Sequence, residues 1–294
     1  MTLSPEAERL RKSAVSAQEA YDYLTLARIA KEMVELCEGN GDKLGLAWAY
    51  YFAGASGYQR NDGANSARAY RRARDLFTEI GNDEGLARSL LGLAAVAIDV
   101  NLDVAQARHL YDQALPTVRK MGDKRRLAIV LGNLGEICRM EGDLTRALAY
   151  VDESIGLFAE VGDRASVGWQ LANAAQYHLQ QRDYAAAIAS MRAGYAEVQR
   201  DPIPRWVAWH YDTWFLIAAA LEQWEIAARV LGFVNRYRDD HSAPRNQGIL
   251  PWFSGPVEQI SAHFEGDRLH ELFAEGEALD VEGAERLVSG IVAP

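Results

Sequence analysis

The chain is poor in the residues that staple, anchor or break up a protein. Of its 294 residues only two are cysteines, Cys37 and Cys138. Two thiols cannot build a zinc site alone, and a disulfide-dense secreted scaffold is excluded. They are expected as buried, reduced thiols of a cytoplasmic protein. The eight prolines are few and five of them lie between 202 and 256, which leaves most of the chain free for long helices. Basic excess is missing too: the net charge is −10, which argues against a direct nucleic-acid partner, since phosphate contacts need a basic surface. No apolar run is long enough to span a bilayer, and the N-terminus lacks a signal-peptide pattern, so no membrane partner is expected.

What remains is an ordinary globular composition, 49% apolar and 24% charged. Within it a punctuation recurs. Gly41-Asp42, Gly81-Asn82, Gly122-Asp123 and Gly162-Asp163 are spaced by about forty residues, the scale of a helical repeat. Halfway between them fall Asn61-Asp62, Asn101-Leu102-Asp103, Gly142-Asp143, Arg182-Asp183 and Gln223-Trp224. Each half-unit therefore reads as one helix and one turn. Gly or Asn relieves left-handed strain where a helix stops, and Asp or Asn caps the next.

The interior of the units agrees. Leu131, Leu134, Gly135 and Cys138 mark one face of a first helix, and Ala147, Val151 and Ser154 one face of a second. The same places hold Leu91, Ala94, Ala95 and Ile98 with Ala107, Tyr111 and Ala114. They recur as Leu171, Ala174, Ala175 and His178 with Ala187, Met191 and Gly194. Tyr50, Ala53, Gly54 and Gly57 with Ser66, Tyr70 and Ala73 form an earlier copy. Spacings of three and four put each set on one helical stripe. Small residues then sit where two helices cross closely, so these glycines pack rather than cradle a phosphate.

This large-x-x-large-small pattern, followed by a spaced alanine, resembles the tetratricopeptide repeat in its longer form of about forty residues. The resemblance covers residues 20 to 238: four good copies, a leading half-copy from Asp22 to Cys37, and a degenerate copy from Ile203 to Arg238. It implies an all-α, right-handed superhelical solenoid of helix pairs whose first helices line a concave face. Eleven to fourteen helices and no sheet are expected, arranged as a solenoid over 1–238, a linker or loop over 239–256, and a C-terminal helical cap over 257–294.

At the N-terminus Ser4-Pro5-Glu6 is a helix start, with the helix behind it read as a short polar cap or the remnant of a longer array. At the C-terminus the period fails, and two short helices are expected, near 257–275 and 281–291. The tail around Phe273, Glu275, Gly276 and Leu279 resembles the end of bacterial signal-transduction ATPases with helical-repeat arms, including LuxR-type transcription regulators. That likeness implies a regulatory arm whose ATPase and output domains lie upstream. A stand-alone adaptor with the same fold is the alternative.

Residues with a chemical signature are few. Asp99, Asn101 and Asp103 imitate the start of a calcium loop, but Val104 and Leu110 stand where its glycine and closing glutamate belong. His263 and His270 lie seven apart on an expected helix with no third ligand spaced for zinc. Gly39-Asn40-Gly41 follows no strand, as a dinucleotide fingerprint must, and no phosphate-binding G-x-x-x-x-G-K-[ST] occurs. No cofactor, metal or catalytic set is expected. The basic clusters Arg68, Arg71, Arg72, Arg74 and Arg119, Lys120, Lys124, Arg125, Arg126 read as solvated faces, or else as seats for an acidic protein partner.

Mapping the first helices onto each other places Trp48, Trp169 and Trp209 at one inward position. Phe52, Leu93, Asn133, Asn173 and Thr213 share the next. Tyr58, Asp99, Arg139 and Leu179 line up further along, with Glu136 and Gln176 between. Tryptophan offers contact area at low entropic cost, and an asparagine amide matches an extended peptide backbone. Asparagines one repeat apart hold such a peptide in long-repeat relatives, and the resemblance implies that role for Asn133 and Asn173. The opposing reading is that the aromatics pack on neighbouring repeats and the asparagines bond within their own turns. The expected binding face comprises Trp48, Phe52, Tyr58, Asn133, Glu136, Arg139, Trp169, Asn173, Gln176 and Trp209, for a peptide, a protein or a small effector. The aromatics crowding the C-terminal third, among them Trp206, Trp214, Trp224, Trp252 and Phe253, are expected mostly in the core where the last repeat meets the tail.

Overall fold

Asp and Asn side chains start the helices where the turn spacing puts them. Asp42 Oδ1 accepts from Gly45 N at 2.8 Å and Asn82 Oδ1 from Gly85 N at 2.7 Å. Asp143 and Asp183 do the same for Arg146 and Ala186. Ahead of these caps, Gly41, Gly81, Gly122, Gly142 and Gly162 take left-handed backbone with φ between 68° and 84°. Where no glycine is available, Leu102, Arg182 and Glu222 adopt the same conformation. Each costs of order 1 kcal/mol, which the packing of the flanking helices must outweigh.

The computed structural model of the protein describes residues 2–20, 22–60, 62–200, 202–243, 245 and 250–293, excluding the side chains at 99 and 250–252. The turn residue Asn61, the inward place of Asp99 and the core place of Trp252 lie outside the described residues. Among the described residues there are fifteen helices and no strand. The chain is all-α, as expected, with one helix more than the expected range.

Two compact units divide it, Met1–Val130 and Leu131–Pro294. The first contains α1 (Pro5–Glu19), α2 (Tyr23–Asn40), α3 (Lys43–Gln59), α4 (Gly63–Ile80), α5 (Asp83–Asp99) and α6 (Val104–Met121). The boundary falls within α7 (Lys124–Met140). The second unit continues with α8 (Leu144–Glu160), α9 (Arg164–Gln180), α10 (Tyr184–Arg200), α11 (Pro204–Ala220) and α12 (Trp224–Asp240). It ends with α13 (Leu250–His263), α14 (Arg268–Glu277) and α15 (Val281–Ser289).

In the first unit α1 packs on α2 and α3, and so pairs with the leading half-copy. Ser4 caps it, and Ala7, Leu10, Ala14 and Ala17 bury one stripe. This corrects the leading half-copy: α1 is short of large apolar residues, but four small or medium ones at helical spacing suffice to seat it. Small residues elsewhere admit large partners. The ring of Tyr70 on α4 lies where side chains at Gly54 and Gly92 would stand, within 2.7 and 2.4 Å of an added Cβ. Cys37 is buried, and burial pushes its thiol up to about 11.

In the second unit one apolar core runs from α9 to the tail, with Phe253, Ile260, Leu272, Ala284, Val288 and Ile291 buried beside Trp214, Phe215 and Phe233. The stretch expected as a linker over 239–256 already contains the start of α13. Proline is tolerated in the first turn of a helix, where Pro251 stands, Pro256 lies inside α13, and the actual break comes at Gly266, whose φ is +61°. That break also divides the expected 257–275 segment, so His263 and His270 stand on different helices, with His263 packed on Trp224 at 5.2 Å. The buried carboxylate of Asp212 pins the segment before α13, pairing with Arg238 and, at 2.9 Å, with Arg245. Arg245 in turn lies 4.4 Å over the ring of Phe253.

The tail motif is explained by the crossing of α12 and α14. A Cβ on Gly276 would lie 2.0 Å from the Arg229 carbonyl oxygen, and one on Gly232 2.4 Å from that of Phe273. Glu275 bonds Arg229 at 2.6 Å, and the Leu279 carbonyl accepts from Arg236 at 2.6 Å. The glycine lets two backbones touch, and the charged pair fixes their register.

Candidate functional site

In the first unit, Trp48 and Phe52 on α3 are buried, and Tyr58 is half-buried near the C-terminal end of the same helix. Trp48 meets Phe77 edge-on at 5.0 Å and Tyr51 at 5.6 Å. The guanidinium groups of Arg11 and Arg88 approach its ring at 5.7 and 5.9 Å. Trp48 and Phe52 therefore serve as core, and their share of a binding face is small.

The second unit brings the remaining candidates onto α7, α9 and α11. Trp209 donates its indole N–H to Asn173 Oδ1 at 3.0 Å, and Asn173 Nδ2 donates to Gln170 Oε1 at 3.0 Å. Gln176 Nε2 donates to Thr213 Oγ1 at 2.8 Å, and the Thr213 hydroxyl donates to the Trp209 carbonyl at 3.0 Å. Asn173, Gln176 and Thr213 are buried and bonded to neighbours within the fold, while the buried Gln170 Nε2 has no partner among the described residues. Asn173 cannot meet a peptide backbone without giving up one of these bonds. The half-buried Asn133, one turn before Glu136 on α7, has more open surface.

Beside that row lies a charged group. Arg139 chelates Glu136 through Nε and Nη2, with the Nε contact at 2.8 Å, and the Tyr177 hydroxyl donates to Glu136 Oε2 at 3.3 Å. The ion pair raises the Arg139 pKa despite burial, while burial and the Glu136 charge push the Tyr177 phenol well above its usual value.

A stack completes the set. Trp169 lies on Trp206 at 4.7 Å with 17° between the planes, and the Arg205 guanidinium covers Trp206 at 4.3 Å. Both rings are half-buried and Arg205 is exposed. Sequence reasoning assigned Trp206 to the core crowd and passed over Arg205. A tryptophan in the opening turns of two first helices, α9 and α11, was the available signal.

Residues 126–196 match the tetratricopeptide-repeat family. No curated protein is significantly similar to the chain in sequence. Solved structures share its fold. The crystal structure of BtubC (BKLC) from P. vanneervenii is 16% identical, with 82% of this chain and 94% of that one covered at a TM-score of 0.59. The apo form of RapI is 13% identical, with 87% and 98% covered at 0.62. A putative kinesin light chain from Podosopora anserina with nearly identical TPR-like repeats is 14% identical, with 68% and 100% covered at 0.52. The likeness is one of fold: tetratricopeptide-like helix pairs. Among the described residues no helix is long and apolar enough to cross a membrane, and no three metal-ligating side chains converge.

Proposed function

We propose that the chain is a non-enzymatic interaction module that binds a peptide or protein segment on the inward faces of α7, α9 and α11. The observation that carries this reading is the Trp169–Trp206–Arg205 stack on α9 and α11, with the Glu136–Arg139 pair on α7 as a second charged group. Half-exposed aromatics held rigid by stacking bind at low entropic cost, and a guanidinium over the indole leaves donors free for a carboxylate or carbonyl. Asn133, Trp169 and Trp209 supply the open edges of the site, while Asn173 and Gln176 hold the tryptophans and helices in place. A protein or peptide suits this row better than a small effector, because its groups are spread over three helices.

The finer reading is that this module is the regulatory arm of a bacterial signal-transduction regulator, which the Phe273–Leu279 likeness supports. An ATPase or output domain encoded in frame before Met1 would support the arm; a free-standing gene product would favour the adaptor. Binding itself is tested by selecting random peptides on the immobilised chain. Trp169→Ala should weaken the selected peptides about tenfold, the scale of a hot-spot aromatic, with little change in melting. Unchanged binding would remove the site from this face.

A further inference from the structure

The first unit has a cleft of about 550 Å³ on α3 and α4, lined by Tyr50, Ala53, Asn65, Arg68, Ala69, Arg71, Arg72 and Asp75. Its counterpart in the second unit is occupied. Helices α3 and α4 begin at Lys43 and Gly63, and α11 and α12 begin at Pro204 and Trp224, with the same spacing. Aligning these starts pairs Tyr50 with Tyr211, Ala53 with Trp214, Arg68 with Arg229, Arg72 with Phe233 and Asp75 with Arg236. The preceding second helices, α2 and α10, begin at Tyr23 and Tyr184, which pairs Lys31 with Arg192.

In the second unit these places hold the chain's own C-terminal helix. The Tyr211 hydroxyl donates to the Val281 carbonyl at 3.2 Å, and Arg236 donates to that of Leu279 at 2.6 Å. Arg192 donates to the Ile291 carbonyl at 3.1 Å, just past the C-terminal end of α15. Arg229 is held by Glu275 on the helix leading into α15. Ala284, Val288 and Ile291 bury their side chains in the same core as Trp214 and Phe233.

In the first unit the matching floor is small and open. Ala53 is half-exposed where Trp214 is buried, so the cleft has the depth of a missing aromatic. Its rim is basic in an otherwise acidic chain: Arg71 and Arg72 are exposed and form no ion pair among the described residues, and Arg68 bonds Asn65 near the Asp62 carboxylate. Asp75, by contrast, is already paired with Arg74.

We propose that this cleft seats an amphipathic helix of a partner protein, acidic along its flanks and carrying a large apolar residue over Ala53. The helix lies as α15 does on its own site. Its N-terminal end is at Asp75 and its C-terminal end at Lys31, each already ion-paired on its own helix, with Arg74 and Glu35. Acidic side chains meet Arg68, Arg71 and Arg72, a contact that α14 rather than α15 makes in the second unit, through Glu275 on Arg229. The site lies on a different unit from the inward-face site proposed above and does not depend on it.

The test uses the full chain and two labelled helical peptides of about 18 residues, long enough to be partly helical alone. Both carry Trp and Leu at i and i+4, one with glutamates and one with lysines on the flanks. The acidic peptide should bind, and Arg68→Glu with Arg72→Glu should weaken it about tenfold or more, with strong salt dependence. Ala53→Trp, which supplies the counterpart of Trp214, should block it. Circular dichroism checks the fold of that variant, and if it is disturbed the exposed Arg72→Glu change decides alone. Trp169→Ala should leave this binding unchanged. Equal binding of both peptides, or indifference to Arg68→Glu with Arg72→Glu, overturns the proposal. So does a concentration-dependent dimer of the chain alone that Ala53→Trp abolishes, which would make the occupant a second copy.

Discussion

The indole N–H of Trp209 and the amide oxygen of Asn173 face each other across 3.0 Å, joining α11 to α9 through two residues that the repeat register places one step apart. The bond decides between the two readings of the asparagine. Asn173 is 6% exposed, and its other end donates to Gln170. Its amide is thus a strut between repeats, which leaves the aromatic edges as the part of the proposed site that a partner could use.

Replacing Asn173 by Ala should therefore destabilise the chain. It orphans a Trp209 donor and a buried Gln170 acceptor, a loss of about 1–3 kcal/mol for such groups. Urea unfolding of Asn173→Ala, Trp209→Phe and the double variant forms a cycle that isolates the bond. Additive losses in the two single variants would show that the contact carries no coupling.

The glycine crossing of α12 and α14 gives a second expectation. Gly276→Ala forces a methyl group against the Arg229 carbonyl, where neither backbone can yield, and should cost about 1–3 kcal/mol or more as an overpacked contact. Limited proteolysis should then cut first between α12 and α15. Gly156 on α8 has nothing within 4 Å of an added Cβ. Gly156→Ala should leave the chain unharmed or stabilise it by about 0.4–1 kcal/mol. Identical behaviour of the two variants would contradict the crossing.

How far the sequence revealed this depends on the kind of signal. The turn glycines and capping Asp or Asn residues are local, so the helix edges from Tyr23 to Asp240 were legible. Leu134 and Cys138 lie in the core as their stripe indicated. Pair membership of α1 was missed because Ala7, Ala14 and Ala17 give a weak apolar stripe. The tail was misread because α13 begins among prolines that looked like a linker, and because Gly266-Asp267, the same Gly-Asp punctuation that marks the repeat turns, was passed over outside the forty-residue period. The inward row was found, but whether an inward amide is free depends on its neighbour across the repeat. Trp209 opposite Asn173 is a long-range fact that no local pattern records.

The same dependence on neighbours changes the expected contrast between Leu134 and Glu136. Leu134 is fully buried, so Leu134→Ala should cost about 2–5 kcal/mol. Glu136 is no bare surface group, since it holds Arg139, whose side chain is only 9% exposed, and accepts from Tyr177. Glu136→Ala should cost more than the roughly 0.5 kcal/mol of an ordinary surface change, though still less than Leu134→Ala. Thermal melts rank the two, and a larger effect at Glu136 would place the ion pair, not the apolar stripe, at the centre of this repeat.

Glu285 on α15 supplies the pH dependence. Burial raises its carboxyl from 4.5 to about 7, and its Oε2 has no hydrogen-bond partner among the described residues. Tyr195 and Tyr211 stand near it, and their phenols are themselves pushed up by burial and by its charge. The native state thus keeps a proton that the unfolded chain releases near 4.5. Between that pH and about 7 the native state binds more protons, so this group's contribution falls as pH rises. It is fully present below about 4.5 and lost above about 7, when a buried carboxylate must be ionised beneath α15. His210, buried with its imidazole pulled down to about 3, gives the opposite slope at acid pH, but it is common to wild type and variant and cancels in their difference. Glu285→Gln should match wild type at pH 5 and melt higher at pH 8, by about 2–4 °C for each kcal/mol relieved. A difference that is the same at both pH values would mean that the carboxyl is already ionised and solvated in the native chain, and that α15 docks without a titrating group beneath it.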